Sequence, residues 1–369
     1  MEEKMDIKVL GIIGLAILLS FSACLEGLFD STEDDADTTD VSFVGKWCLV
    51  TQTENGVKET HGQIITMNED GSGTFRSSED DDTFTWSTLD GVLKVTLVDE
   101  IFEANYQFDG NTVTLTYEEE GHTYVELYAK HTGEKNEDLI GKWTGVGATE
   151  GGVDYAPTTT VTFGTDGSAV AYFIEETEID AQVFSWSTSG NYLLNDFIED
   201  DSEMWTGIEY TLATTPDGPP HLAAQEYYDG GVEYITTFIK DSGEKDNALN
   251  GTWSLTGLTV NGGSIPPQIL PQGASLTLDA TTGTGAFVLD ETPVTYTWTT
   301  NSGYLLIYPT AGSSQIGIGQ EYNIEGATLT FSIAFNAETV AYYFGSNQFL
   351  AGYAAANEYV KADFTFTKQ

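Results

Sequence analysis

Arginine occurs once in 369 residues, at position 76, and histidine four times. Lysine and arginine together number 13 against 58 aspartates and glutamates, a formal net charge of −45. A surface this acidic repels phosphate backbones and anionic headgroups, so no nucleic-acid partner is expected. The histidines, His61, His122, His131 and His221, have no cysteine or histidine partner at ligand spacing, so no metal is expected either. There is no HExxH, no nucleophile elbow and no glycine loop built to cradle phosphate. Pairs of carboxylates abound, but in so acidic a chain they arise by crowding and carry no catalytic information. The expectation is a protein that is not an enzyme and needs no cofactor.

Long apolar runs are scarce too. The one exception is Val9 to Ala23, VLGIIGLAILLSFSA, which follows Lys4 and Lys8. It is shorter than the roughly 20 residues of a spanning helix and reads as the core of an export signal, residues 1–23. Phe21-Ser22-Ala23-Cys24 resembles the lipobox of bacterial lipoproteins. That resemblance implies cleavage before Cys24, lipid on its sulfur and a membrane as partner. Cleavage would leave 11 basic and 55 acidic side chains, a charge of −44. With Cys24 lipidated, Cys48 has no cysteine left to pair with, so folding must come from packed cores. Residues 24–41 form an acidic tether carrying Glu26, Asp30, Glu33, Asp34, Asp35, Asp37 and Asp40 with no basic residue. Like charges keep such a segment extended, to at most roughly 55–60 Å. An acidic stretch placed there resembles the surface-export signals of some outer-membrane lipoproteins. It implies an outer-membrane location, on the cell surface or the periplasmic face, with outward display favoured.

Aromatic residues are plentiful, 19 Tyr, 19 Phe and 7 Trp, more core material than a disordered acidic chain carries. They recur in a threefold pattern. Gly45-Lys46-Trp47, Gly141-Lys142-Trp143 and Gly251-Thr252-Trp253 each open a segment. Asp70-Gly71-Ser72, Asp166-Gly167-Ser168 and Thr282-Gly283-Thr284 follow, and then Phe84-Thr85-Trp86, Phe184-Ser185-Trp186 and Tyr296-Thr297-Trp298. The stretches 130–139 and 240–249 are near copies of one another and read as solvated linkers. The domains are therefore drawn at 42–131, 138–241 and 248–369, and are expected to fold and unfold largely independently.

Within the first copy, apolar residues alternate with polar ones, as in Phe102, Ala104, Tyr106 and Phe108 against Glu103, Asn105 and Gln107. Strands are expected near 46–54, 61–68, 73–77, 82–88, 91–97, 102–108, 111–117 and 122–130, joined by Asp-Gly and Gly turns. Eight hairpin-linked strands with one apolar face predict an all-β meander closed into a small up-and-down barrel. A Gly-x-Trp first strand followed by such a meander resembles the lipocalin-like domains of bacterial lipoproteins, over residues 42–369. The resemblance implies three tandem barrels with Trp47, Trp143 and Trp253 closing their floors.

An eight-stranded barrel is filled by its own side chains or holds one small ligand. The third copy inserts residues 264–272, where Ile265, Ile269 and Leu270 would either form a lid over an apolar ligand or pack on the barrel end. Trp298, like Trp86 and Trp186, is core or cavity lining. Trp205, without a counterpart in the other copies, is a candidate for an exposed contact in an acidic loop. The acidic runs 79–82 and 199–201 lack the spacing of a calcium loop and read as solvated turns. The functional expectation is a cell-envelope lipoprotein that binds a small apolar ligand or displays surfaces to a protein partner. The alternative is a structural spacer with filled barrels.

Overall fold

The computed structural model describes residues 39–369 apart from 78–80, 99, 156–158, 176–177, 200–201, 214–219, 290–292, 311–315, 337–339, 341–350 and 353–358. The export signal, Cys24 and all but the last three tether residues lie outside the described residues. Among those described, no helix is long and apolar enough to cross a membrane.

Alternation of buried and exposed side chains makes strands throughout. The first barrel comprises β1 (Gly45–Glu54), β2 (Val57–Glu59), β3 (Gln63–Met67), β4 (Ser72–Ser77), β5 (Asp81–Leu89), β6 (Val92–Thr96), β7 (Ile101–Asp109), β8 (Thr112–Glu119) and β9 (His122–Lys130). The second comprises β10 (Gly141–Glu150), β11 (Val153–Tyr155), β12 (Thr159–Phe163), β13 (Ser168–Glu175), β14 (Glu178–Ser189), β15 (Tyr192–Glu199), β16 (Ser202–Ala213), β17 (His221–Tyr228) and β18 (Val232–Lys240). The third comprises β19 (Gly251–Val260), β20 (Gly263–Ser264), β21 (Ser275–Asp279), β22 (Thr284–Val288), β23 (Pro293–Asn301), β24 (Tyr304–Pro309), β25 (Ile318–Glu325), β26 (Thr328–Phe335) and β27 (Val360–Lys368). Each sheet is an antiparallel meander closed by its first and last strands: β1 on β9, β10 on β18, β19 on β27. The walls thus have eight strands, and β2, β11 and β20 are flaps folded back on the first strand. The eight strands expected in the first copy are all present. The flap was missed because three residues are too few to show a period.

A bulge recurs at one place in each first strand, between Leu49 and Thr51, Gly145 and Gly147, and Leu255 and Gly257. It turns Val50, Val146 and Thr256 toward the outside, beside Cys48, Thr144 and Ser254. In the third barrel residues 336–359 lie between β26 and β27, and Val340, Ala351 and Gly352 among them are helical. The first two barrels have hairpins at that place.

The chain forms two compact units whose boundaries run through the middle barrel. One contains Met1–Glu134, Ser187–Ile208 and Tyr227–Gly231. Within it Cys48, Val50, Ile64 and Ala129, all on the outside of the first barrel, are buried against Leu194 of β15 and Trp205 of β16. Lys46 lies over the Trp205 ring at 5.5 Å and His131 meets its edge at 5.0 Å. The flap β2 runs on into the neighbouring strand, with Thr60 N donating to Tyr227 O at 2.8 Å.

The other unit contains Lys135–Trp186, Glu209–Glu226 and Val232–Gln369. Within it Thr144, Val146, Thr160 and Ile239, from the outside of the middle barrel, meet Leu306, Tyr308, Gly317 and Gly319 of the third. Thr144 and Tyr308 hydroxyls are 2.7 Å apart, and Gly317 N donates to Thr160 Oγ1 at 2.9 Å. These two joints are contacts between modules that the solvated linkers did not lead one to expect. The linkers are polar as expected, but outward apolar residues flanking each Gly-x-Trp carry the contact.

Candidate functional site

Each barrel has a closed floor of one design. A short 3-10 turn, Val41–Phe43, Glu137–Leu139 or Asn247–Leu249, plugs the barrel end with a buried Phe43, Leu139 or Leu249. Its carbonyl accepts the indole N–H of Trp47 at 2.6 Å, Trp143 at 2.6 Å or Trp253 at 2.8 Å. The ammonium groups of Lys130, Lys240 and Lys368, from the last strands, sit over these rings at 5.1, 5.4 and 5.0 Å. The glycine of each Gly-x-Trp has φ of 131°, 126° or 125°, and a Cβ there would stand 3.0–3.3 Å from the crossing lysine Cε. Both facts favour glycine. Asp40, Asn136 and Asp246 cap the turns and bind the hydroxyls of Tyr106, Tyr210 and Tyr322. The second repeated motif is tied in as well, since Gly71, Gly167 and Gly283 accept the backbone N–H of Trp86, Trp186 and Trp298 at 2.7, 2.8 and 2.9 Å.

The opposite ends differ. In the first barrel, Glu126 of β9 points inward and is 8% exposed. Its carboxylate accepts from Tyr117 OH at 2.9 Å, Tyr128 OH at 2.9 Å and Gln52 Nε2 at 3.3 Å, while Gln63 Nε2 donates to Tyr128 at 2.7 Å. Tyr124 stacks on Tyr117 at 5.0 Å, and Phe102 meets Tyr117 edge-on at 4.4 Å. Burial raises the Glu126 carboxyl above its ordinary range, against the pull of the Tyr128 and Tyr117 hydrogen bonds. Burial and the neighbouring Glu126 push both phenols up. At the corresponding place in β27 the third barrel has Phe364, packed with Phe287, Phe331 and Phe366.

The Glu126 cluster was missed because the sequence reading sought runs and motifs. The available signal was an acid in the inward parity of Tyr124, Tyr128 and Lys130. Chemically the cluster is a carboxylate surrounded by donors, able to take up a proton or face a cation. It has no nucleophile poised beside it.

The sequence candidates fall in three places. Trp47, Trp143, Trp253 and Trp298 are fully buried core residues, and Trp298 donates its indole N–H to Thr284 O at 3.0 Å. Leu270 is buried and Ile265 packs against the core of the third barrel, while Ile269 is 58% exposed. Among the described residues of that barrel a cavity of about 20 Å³ lies between Leu276, Phe287, Tyr296, Gln320 and Phe331. That is room for one water rather than the several hundred cubic ångströms of a ligand pocket. Trp205 is not exposed in a loop. It lies on β16, 6% exposed, because its strand faces the first barrel. Of the acidic runs, Asp81 pairs with Arg76 at 2.7 Å, and residues 79–80 and 200–201 lie outside the described residues. Among the described residues no group of three or more acid, histidine or cysteine side chains could hold a metal.

No protein-family model and no curated protein matches this chain. Among solved structures it is similar to a protein of unknown function from the DUF3598 family of Nostoc punctiforme, at 11% identity over 54% of this chain and 97% of that one, with a TM-score of 0.18. It is also similar to isotype 1 transferrin binding protein B from serogroup B Neisseria meningitidis, at 10% identity over 83% of this chain and 65% of that one, with a TM-score of 0.20. Neither likeness is close enough to bring an activity or a partner to this chain.

Proposed function

We propose that this is a lipid-anchored cell-envelope lipoprotein whose lipocalin-like barrels serve as a display scaffold, presenting outer surfaces to a protein partner instead of carrying an apolar ligand inside. The observation that supports this reading is the apolar packing of the third barrel's described core. Its inserted segment buries Leu270 and packs Ile265 against that core, and the cavity among Leu276, Phe287, Tyr296, Gln320 and Phe331 measures about 20 Å³. The lipocalin-like assignment is supported by the repeated floor, in which a first-strand tryptophan lies under a last-strand lysine. Anchoring at Cys24 rests on the lipobox, and the outer membrane with outward display rests on the acidic tether.

The test is native mass spectrometry of the full chain purified from its own envelope, alongside a Cys24→Ser variant. The expected result is a protein without stoichiometric ligand, released from the membrane by the substitution. A stoichiometric apolar ligand would overturn the scaffold reading, and a variant that stays membrane-bound would overturn the anchor.

A further inference from the structure

The two joints place equivalent residues in equivalent roles. On the donating barrel they are the residue after the first-strand tryptophan, the bulged residue, and their partners on the two flanking strands. These are Cys48, Val50, Ile64 and Ala129 in the first joint, and Thr144, Val146, Thr160 and Ile239 in the second. On the accepting barrel they are the residue eight after the second tryptophan, Leu194 or Leu306, and a glycine three before the floor tyrosine, Gly207 or Gly319. Each glycine is required by close approach. A Cβ on Gly207 would lie 2.9 Å from Val50 Cγ2, and one on Gly319 would lie 2.3 Å from Val146 Cγ1.

The chain carries both halves of this joint a third time, altered. The donating face of the third barrel has Ser254, Thr256, Ser275 and Thr367, of which Thr256 and Thr367 are exposed. The accepting face of the first barrel has Lys94 where the others have leucine, paired across the strands with Glu103 where the others have glycine. Glu103 and the neighbouring Ile101 are exposed.

We propose that these two faces are stops: they keep a second copy of this chain from docking end to end and so limit each chain to its own three barrels. Docking would force the Lys94 ammonium and Glu103 carboxylate out of water against a face with no charge to answer them. The hydroxyls opposite are turned to their own barrel, Thr256 Oγ1 to Thr365 O and Thr367 Oγ1, and Ser254 Oγ to Gln369 Nε2, so they present a polar face that gives nothing to either charge. The second joint does bury Thr144 and Thr160, but Tyr308 OH and Gly317 N answer them. At those two positions the first barrel has Thr96 and Ile101, a short hydroxyl in place of the long phenol and a branched side chain in place of the glycine. This inference rests on the joints alone and holds whether or not the scaffold reading does.

Two experiments test it on the full chain carrying Cys24→Ser. In the first, Leu194→Lys with Gly207→Glu writes the stop into the first joint. Cys48 should then react with a thiol reagent at least about a hundredfold faster, with the barrel signature in circular dichroism kept. Unchanged Cys48 reactivity overturns the proposal. In the second, one chain carries Ser254→Ala, Thr256→Val, Ser275→Ile and Thr367→Ala, and another carries Lys94→Leu, Ile101→Trp and Glu103→Gly. Sedimentation velocity should show a 1:1 complex only when the two are mixed, with the unaltered protein monomeric. A mixture that stays monomeric, or an unaltered protein that already associates, overturns it whatever the first experiment shows.

Discussion

Replacing Trp205 with alanine should loosen the first joint while leaving the first barrel folded. Trp205 is 6% exposed, shares a buried cluster with Cys48, Val50, Ile64, Ala129 and Leu194, and has Lys46 over its ring. Truncating a buried tryptophan costs about 3–5 kcal/mol, and a small part of that is a cation–π contact of about 0.5–1 kcal/mol. The floor of the first barrel, with Phe43, Trp47 and Lys130, makes none of these contacts. The loss should therefore fall on the opening of the joint and much less on unfolding of the barrel. Cys48 reports it directly. It is fully buried, its thiol is pushed up by burial, and with Cys24→Ser it is the sole cysteine. Where opening is fast relative to labelling, 3–5 kcal/mol of lost opening energy corresponds to roughly a hundredfold to several-thousandfold faster reaction with a thiol reagent. Near-unchanged labelling with intact circular dichroism would refute the joint as the structure draws it.

Trp143→Ala should cost about 3–5 kcal/mol in the middle barrel, read as a lowered urea midpoint, because it removes the buried indole that donates to the Leu139 carbonyl of the floor plug. A midpoint equal to the wild-type value would contradict the repeat. Gly319→Val should destabilise the second joint by about 1–3 kcal/mol through overpacking against Val146, seen by calorimetry as a lower or split transition. Residues 138–241 alone should expose Leu194, Trp205, Thr144 and Ile239 and bind a hydrophobic dye. A dye-silent, cooperatively melting fragment would restore the expectation of independent modules. Glu126 should give a pH dependence of one sign. Its folded carboxyl holds a proton more tightly than the ordinary value of 4.5, so its contribution is intact below that value and is lost as pH climbs through the raised folded value. Glu126→Gln should remove that decline in urea titrations between about pH 4 and 8, and an unaltered profile would assign the buried acid no such role.

Much of the barrel was legible because its information is local. Alternation gave the inward set, as in Ala104, Val113, Leu115 and Tyr128, and the Asp-Gly turns gave the hairpins. The repeated tryptophans stand out in the sequence, whereas the lysines that cross the first-strand set lie at the far end of each copy. What stayed hidden is what alternation assigns to solvent. Val50, Ile64 and Ala129 occupy outward positions, where alternation within a single barrel predicts exposure, and the structure buries them together with Cys48. Trp205 reads as exposed because it follows Asp200-Asp201 and no tryptophan answers it in the other copies, where Gly317 and Ile101 stand. An apolar residue in the outward parity marks a surface that another body covers.

That principle also accounts for the segment that looked most like a lid. In the first barrel the edge of the flap β2 is occupied, since Thr60 exchanges hydrogen bonds with Tyr227, Glu59 accepts from Gly230 N, and Lys58 lies over the Tyr227 ring. The third barrel's flap, β20, is two residues long and is followed at once by Ile265, Pro266 and Pro267. Prolines offer no N–H to an approaching strand, which blunts the edge. Ile265 N turns back to Leu258 O at 2.8 Å, and the loop returns to bury Leu270 against the same barrel. The insertion thus supplies from within the third barrel the edge cover that a neighbouring strand supplies to the first. Its apolar residues follow from that task, and a ligand is not needed to explain them.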